Sequence, residues 1–229
     1  MAGLTGNVNL YSSSIQYVIF LFTTAFTLIF IDRTGRRRLF IYGALVMAAL
    51  NFTVAGVMGA YGNKVTNVDD NYNIVWQVTG KPAKAIIACT YLFVAVYGFT
   101  WAPVTWIYVS EIFPLQYRAR GVGVATSANW AFNFALAYFV PPAFHNIQWR
   151  SYIIFGVFCL CGVVHSFLMF PETKGRTLEE VEVLFRDGMP AWKKVPESQL
   201  EQKIKEIEKK GPRVSVEGKE IAPEHKEEA

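Results

Sequence analysis

The chain has 229 residues, of which 52% are hydrophobic and 17% are charged, and its formal net charge is +4. An ordinary soluble domain carries about 25% charged residues, so this chain is too apolar for that class. The mild positive charge forms no long basic stripe, which argues against nucleic-acid binding. The composition therefore favours an integral membrane protein.

Five apolar segments are each about 20 residues or longer, which is the length at which a helix crosses a bilayer. They lie at about 12–31, 39–60, 85–110, 122–145 and 152–170. Only helices and closed barrels satisfy every backbone group in lipid, and the segments lack the alternation of barrel strands. The predicted fold class is an all-α membrane protein with five transmembrane helices.

Basic residues between these segments predict the orientation of the chain. If the helices alternate in direction, three basic groups fall on one side of the membrane, which the positive-inside rule assigns to the cytosol. These groups are Arg33 with Arg36, Arg37 and Arg38, then Arg118 with Arg120, then Lys174 with Arg176. The loop 61–84 and the N-terminus are then outside, and we expect a multi-pass protein of the plasma membrane.

The chain divides near residue 185 into an apolar domain, 1–185, and a charged cytosolic tail, 186–229. Thr177 and Glu180 have the spacing of a capping box, which predicts a short helix at about 177–186. The segment PESQLEQKIKEIEKK, 196–210, is compatible with an amphipathic helix. Beyond Gly211 the composition indicates disorder.

Three charged motifs lie at the predicted cytosolic helix ends: DRTGRRR at 32–38, PVTWIYVSEIFPLQYRARG at 103–121 and PETKGRTLEE at 171–180. In order and spacing they resemble the sugar porter family of the major facilitator superfamily. The stretch SANWAFNFALAYFVPP at 127–142 is similar to fungal hexose transporters. Family members have twelve helices, so the resemblance implies helices eight to twelve. Five helices suggest a fragment, or a gene model started at an internal methionine.

A sugar site is expected near the third and fourth predicted helices. Trp106 can offer its ring face to a pyranose and its indole N–H to a hydroxyl. Asn129 and Asn133 are four residues apart and share one helix face, where each amide can both donate and accept. The family's sugar contacts match at these three residues, with Trp130 nearby, and Gln16 is a further candidate.

Alternatives stay open for two of these features. The amides of Asn129 and Asn133 can instead form hydrogen bonds between helices. Phe20 stands where family members usually carry an Asn that touches the sugar. This change either favours a smaller substrate such as a pentose and weakens glucose binding, or reflects a shifted helix in which Phe20 merely packs.

The resemblance also implies a breakable latch of cytosolic ion pairs that holds the outward-facing state. The candidates share a charged side chain at a predicted cytosolic helix end; they are Asp32, Arg36, Arg37, Glu111, Arg118 and Glu172. We expect Arg36 and Arg37 to reach Glu111 and phospholipid headgroups. Arg118 is expected to pair with Glu111 or Glu172. Alternatively, the arginines only anchor the topology.

The predicted function is transmembrane transport of a monosaccharide, a hexose or a pentose, by alternating access. The chain would act as the C-terminal half of a transporter, with membrane lipids and a missing N-terminal half as partners. Proton symport and facilitated diffusion both stay open, because the coupling carboxylate of proton-coupled members lies in the missing half. We expect no enzyme activity, cofactor or metal site. The alternatives are a sugar sensor on the same fold and a non-transporting truncated fragment.

Overall fold

The computed structural model describes residues 7–65, 75–186, 190–193 and 195–210, and within these ranges the chain is predominantly helical. Its helices are α1 (Asn7–Thr34), α2 (Arg36–Tyr61), α3 (Lys81–Phe99), α4 (Trp101–Ile112), α5 (Arg118–Asn146), α6 (Arg150–Met169), α7 (Leu178–Arg186) and α8 (Glu197–Lys210). The predicted all-α class is confirmed. The disorder expected beyond Gly211 concerns residues outside the described part of the chain.

Four helical stretches of the described chain are long and apolar enough to cross a membrane. They are Tyr11–Thr34, Arg36–Tyr61, Lys81–Ile112 and Arg150–Met169. The predicted span 122–145 is also helical, as the central part of α5, but α5 is not one of these four. Its middle contains Ser127, Asn129 and Asn133, which lower its hydropathy. By length and composition the described chain therefore has four candidate spans, where the sequence predicted five.

The third predicted span is broken near its middle. Thr100 separates α3 from α4 with φ −117° and ψ −80°, which is outside the helical region. Three residues later, Pro103 lacks the N–H that would continue the hydrogen-bonding pattern of a helix. The break therefore follows from a proline that the sequence already shows.

Within the described part of the chain, the helices enclose two apolar clusters. One lies among α1, α2 and α4, at the end of the bundle that holds the α1–α2 turn, and contains Ile31, Leu39, Phe40, Val104 and Tyr108. The other lies where α2 ends and α3 begins, and contains Val54, Met58, Val78, Ala83 and Ile86. Among the membrane helices, α2 packs on α6 and α3, and α1 packs on α3, whereas α5 contacts mainly α4.

Between α2 and α3 the predicted outer loop contains a small antiparallel ladder. Its strands are β1 (Asn63–Lys64) and β2 (Trp76–Gln77), with Asn63 opposite Gln77. The indole N–H of Trp76 donates to the carbonyl of Met58, at 2.9 Å, and fixes the ladder to the end of α2. Of the described residues, 195–210 belong to a separate compact unit, which contains α8.

Candidate functional site

Arg36 is the centre of an ion-pair cluster at the α1–α2 turn. It is the first residue of α2, and its Nη2 atom lies 2.8 Å from Glu111 Oε1 and 3.0 Å from Asp32 Oδ1. The side chain of Glu111 is 22% exposed and that of Asp32 is 77% exposed. Water screens the exposed pair more strongly than the partly buried one. Glu111 is therefore the stronger electrostatic partner of Arg36.

Glu172 caps the beginning of α2 from a distant part of the sequence. Its Oε1 atom accepts the backbone N–H of Arg36, at 2.9 Å, and that of Lys174, at 3.1 Å. The first N–H groups of a helix lack helical acceptors and carry a partial positive charge, so a carboxylate is favourable there. Gly35 precedes this cap with φ +91°, and a Cβ at that position would lie 2.6 Å from Glu172 Oε2. The backbone conformation favours glycine at this turn, and a Cβ there would displace the Glu172 carboxylate.

The segment after α6 completes the cluster. The hydroxyl of Thr173 donates to Glu111 Oε2, at 2.6 Å, and Lys174 Nζ donates to the carbonyl of Arg33. The hydroxyl of Tyr108 donates to the carbonyl of Pro171, at 3.3 Å. Residues 171–174 thus connect α4 to the α1–α2 turn. Sequence reasoning did not single out Thr173, although it lies inside a quoted motif between two charged residues.

We call Asp32, Arg36, Glu111, Glu172 and Thr173 the charge cluster. Both carboxylate oxygens of Glu111 are occupied within it, one by Arg36 and one by Thr173. The cluster joins the α1–α2 turn, the end of α4 and the segment after α6. Three parts of the chain that are distant in sequence are therefore held together by charged hydrogen bonds, which are stronger than neutral ones.

The other two candidate arginines lie outside the charge cluster. Arg37 Nη2 donates to the carbonyl of Phe167, at 2.9 Å, and the guanidinium lies 5.1 Å from the centre of the Phe167 ring. Arg118 begins α5, and its Nε atom donates to the carbonyl of Phe113 at 3.4 Å. The described structure forms neither the expected contact of Arg37 with Glu111 nor an ion pair of Arg118. In this structure the two carboxylate oxygens of Glu111 accept from Arg36 and from Thr173.

The candidate sugar residues lie mainly on exposed helix faces of this chain. Trp106 on α4 is 50% exposed and Trp130 on α5 is 69% exposed. Asn129 and Asn133 are also exposed, and Asn133 Nδ2 donates to the carbonyl of Asn129 at 2.9 Å, within the same helix. The described chain thus covers neither amide with a second helix. Their expected cavity would have to be completed from outside it.

Phe20 and Gln16 occupy α1 and are both partly buried. The ring of Phe20 stacks with that of Tyr97 on α3, with centroids 6.1 Å apart and an angle of 19° between the planes. The side chain therefore packs between helices in this structure. This packing explains an aromatic residue at position 20 and does not require a contact with a sugar.

A cavity of about 630 Å³ lies between α2, α3 and α6. Its walls are mainly apolar and include Met47, Asn51, Phe93, Phe155 and Cys159. Asn51 Nδ2 already donates to the carbonyl of Met47, at 3.0 Å. Sugar sites need several polar groups that converge on hydroxyls, and none of the six candidate sugar residues lines this cavity. It is therefore not the expected sugar site.

Four helical stretches of the described chain are long and apolar enough to cross a membrane, which makes this a multi-pass membrane protein. The sequence model of the "Sugar (and other) transporter" family matches residues 1–185, so the chain belongs to this family. A high-affinity glucose transporter of Kluyveromyces lactis is 47% identical over 197 residues, which are 84% of this chain and 36% of the relative. The chain thus spans little more than a third of that relative's length.

Solved structures of XylE share the fold. A double-tryptophan mutant has a TM-score of 0.66 and 27% identity, over 80% of this chain and 36% of XylE. XylE bound to 6-bromo-6-deoxy-D-glucose, described as a proton:xylose symporter of the major facilitator superfamily, has a TM-score of 0.64 and 27% identity over 80% and 36% of the two chains. These similar proteins are transporters and not enzymes, in agreement with the sequence prediction.

Proposed function

We propose that this chain is the C-terminal part of a transporter that carries a monosaccharide across a membrane by alternating access. The family match supports transport, and the similar glucose and xylose transporters support a sugar of this size. The observation that carries the mechanism is the charge cluster, because Arg36 and Glu172 hold separate helix ends together. Such a contact can close one face of the protein and open when the helices move.

Helix α4 connects the two proposed sites. It carries Trp106, which would contact the sugar, and Glu111, which pairs with Arg36. Five residues along a helix correspond to about 7.5 Å, so a rigid displacement of α4 at the sugar is transmitted to the ion pair. Sugar binding and release of the latch are coupled in this way through one helix.

The sugar would bind where Trp106, Asn129 and Asn133 face the part of the transporter that this chain does not span. Uncovered amides are costly in lipid, so these side chains favour a cavity formed with the other half. Trp130 and Gln16 would border that cavity. Phe20, which packs on Tyr97, would narrow it instead of donating to the sugar.

The transporter is proposed to lie in the plasma membrane, with the charge cluster on the cytosolic side. The tail from residue 186 would lie on the same side. Arg33 and Arg38 are exposed next to the cluster, where they can contact phospholipid headgroups. Arg118 is proposed to join the latch in another state of the cycle, when its contact with Phe113 is broken. Proton coupling would use a carboxylate outside this chain.

Uptake by the complete protein that contains this chain tests the proposal. It would be produced in yeast cells that lack hexose uptake, and initial uptake of labelled glucose and xylose would be measured at known surface abundance. We expect saturable uptake of at least one sugar. Sugar binding without uptake would support a sensor. The absence of both sugar binding and sugar uptake would exclude the proposed function.

A further inference from the structure

Pro103, just after the break between α3 and α4, leaves the carbonyl of Phe99 without its usual donor. In a continuous helix the carbonyl of Phe99 accepts the N–H of residue 103, four positions later. Residue 103 is a proline and has no N–H. In a membrane helix no water is at hand to replace this bond, so an unpaired carbonyl is costly. The Phe99 carbonyl therefore needs a donor from another part of the protein.

Thr27 of α1 supplies that donor. Its side chain is buried, and its Oγ1 atom lies 2.8 Å from the carbonyl of Phe99 and 3.4 Å from that of Gly98. The same atom lies 2.8 Å from the carbonyl of Thr23 in its own helix. A hydroxyl has one hydrogen to donate, and the helical N–H of residue 27 already serves Thr23. The Phe99 carbonyl is thus the acceptor that depends on this hydroxyl.

The neighbouring backbones fit closely around the break. A Cβ at Gly98 would collide with the hydroxyl of Thr23, and a Cβ at Gly43 of α2 would collide with the side chain of Thr100. Helices α1 and α2 therefore approach the break from two sides. This contact holds the beginning of α4, while the other end of α4 carries Glu111 of the charge cluster.

We propose that Thr27 is a positioning residue that fixes the point about which α4 moves during transport. Its hydroxyl pairs with the Phe99 carbonyl while the break is closed against α1. The carbonyl of Thr23, at the same distance, accepts the hydrogen when α4 shifts, so the hydroxyl stays paired in both arrangements. The kinetic part of this inference rests on the proposed transport function, but the hydrogen bond itself does not.

The test is a double-mutant cycle between Thr27→Val and Pro103→Ala in the complete protein. Thr27→Val removes the hydroxyl at nearly constant volume, Thr27→Ser keeps it, and Pro103→Ala gives Phe99 a helical N–H. Thr53→Val is the matched control, because that exposed hydroxyl donates to Ala49 within its own helix. The measurements are maximal uptake rate, KM and apparent melting temperature in detergent.

We expect Thr27→Val to lower the maximal uptake rate about three- to tenfold, the range that one interhelical hydrogen bond in a membrane supports. KM should change less than about twofold, because Thr27 would not touch the sugar. Thr27→Ser should restore the rate, and Thr53→Val should leave it unchanged. In the Pro103→Ala background the effect of Thr27→Val should largely disappear, since Phe99 then has its own donor.

The proposal is overturned if Thr27→Val has the same effect in both backgrounds, or if valine and serine at position 27 behave alike. If the complete protein transports no sugar, the same double-mutant cycle, measured by melting temperature, still tests the hydrogen bond. Failure of the transport function and failure of the hydrogen bond are distinguished in this way. If the Thr27→Val protein does not accumulate in the membrane, the abundance of the double variant with Pro103→Ala tests the proposal. Recovery of its abundance by Pro103→Ala supports the proposal, and no recovery contradicts it.

Discussion

Glu111→Gln should weaken the charge cluster more than Asp32→Asn does. Glu111 accepts from Arg36 at 2.8 Å and from Thr173 at 2.6 Å. Glutamine has one acceptor oxygen for these two donors, and it has no charge to balance Arg36. A hydrogen bond to a charged group contributes about 1.5–3 kcal/mol when it is shielded from water. The side chains of Arg36 and Glu111 are 11% and 22% exposed, so water can replace little of the hydrogen bonding that the substitution removes.

Asp32→Asn is the matched comparison, because Asp32 contacts the same guanidinium at 3.0 Å but is 77% exposed. Exposed ion pairs contribute about 0.2–1 kcal/mol. Since Asp32 stays beside Arg36 in Glu111→Gln, we use the lower part of the range for Glu111, about 1.5–2 kcal/mol. That free energy shifts an equilibrium between two conformations by more than about tenfold, compared with less than about sixfold for Asp32→Asn.

The assay is the rate at which a membrane-impermeant maleimide labels a cysteine placed on the cytosolic side of the cavity, together with initial sugar uptake at equal surface abundance. We expect Glu111→Gln to increase cytosolic labelling and to slow uptake. Asp32→Asn should change both by a smaller factor. Unchanged labelling in Glu111→Gln, or a larger effect of Asp32→Asn, would show that the charge cluster is not the latch.

Three further predictions concern sugar affinity and stability. Asn133→Ala should raise the sugar Kd about fivefold, as expected for one lost hydrogen bond, and an unchanged Kd in a binding assay would leave Asn133 a packing residue. Gly35→Ala should destabilise the protein by about 1–3 kcal/mol because of its positive φ and should lower the melting temperature; an equal melting temperature would refute the strain at this turn. Thr177→Ala should cost about 1 kcal/mol of local stability, seen as faster amide exchange in α7 with unaltered uptake, and unchanged exchange would show that the cap is dispensable.

Much of the helical organisation could be predicted because it depends on local sequence. The capping box is an example: the N–H of Thr177 donates to Glu180 Oε2 at 2.9 Å, and the N–H of Glu180 donates to Thr177 Oγ1 at 3.3 Å. Both bonds join residues three positions apart, so their spacing is visible in the chain itself. The long apolar runs were recognisable for the same reason, since the length of a bilayer crossing is fixed by the helical rise.

Contacts between distant segments could not be assigned in the same way. The sequence offered Glu172 only as a latch carboxylate and a possible partner of Arg118, but in the structure it caps α2. Several arginines could reach Glu111 by spacing alone, and only the tertiary packing selects Arg36. Thr27 carries no sequence signal of its own, because its partner becomes evident only when α1 lies against the carbonyl that Pro103 leaves unpaired.

Sugar movement by the complete protein is the property that the proposed transport function requires most directly. Counterflow of labelled glucose into proteoliposomes preloaded with unlabelled sugar measures the exchange of sugar between the two sides of the membrane. The proteoliposomes contain no other cellular protein. We predict transient accumulation of labelled sugar that is saturable and is slowed by Glu111→Gln. An absence of accumulation from correctly inserted protein, with glucose or xylose as the sugar, would contradict the transport function.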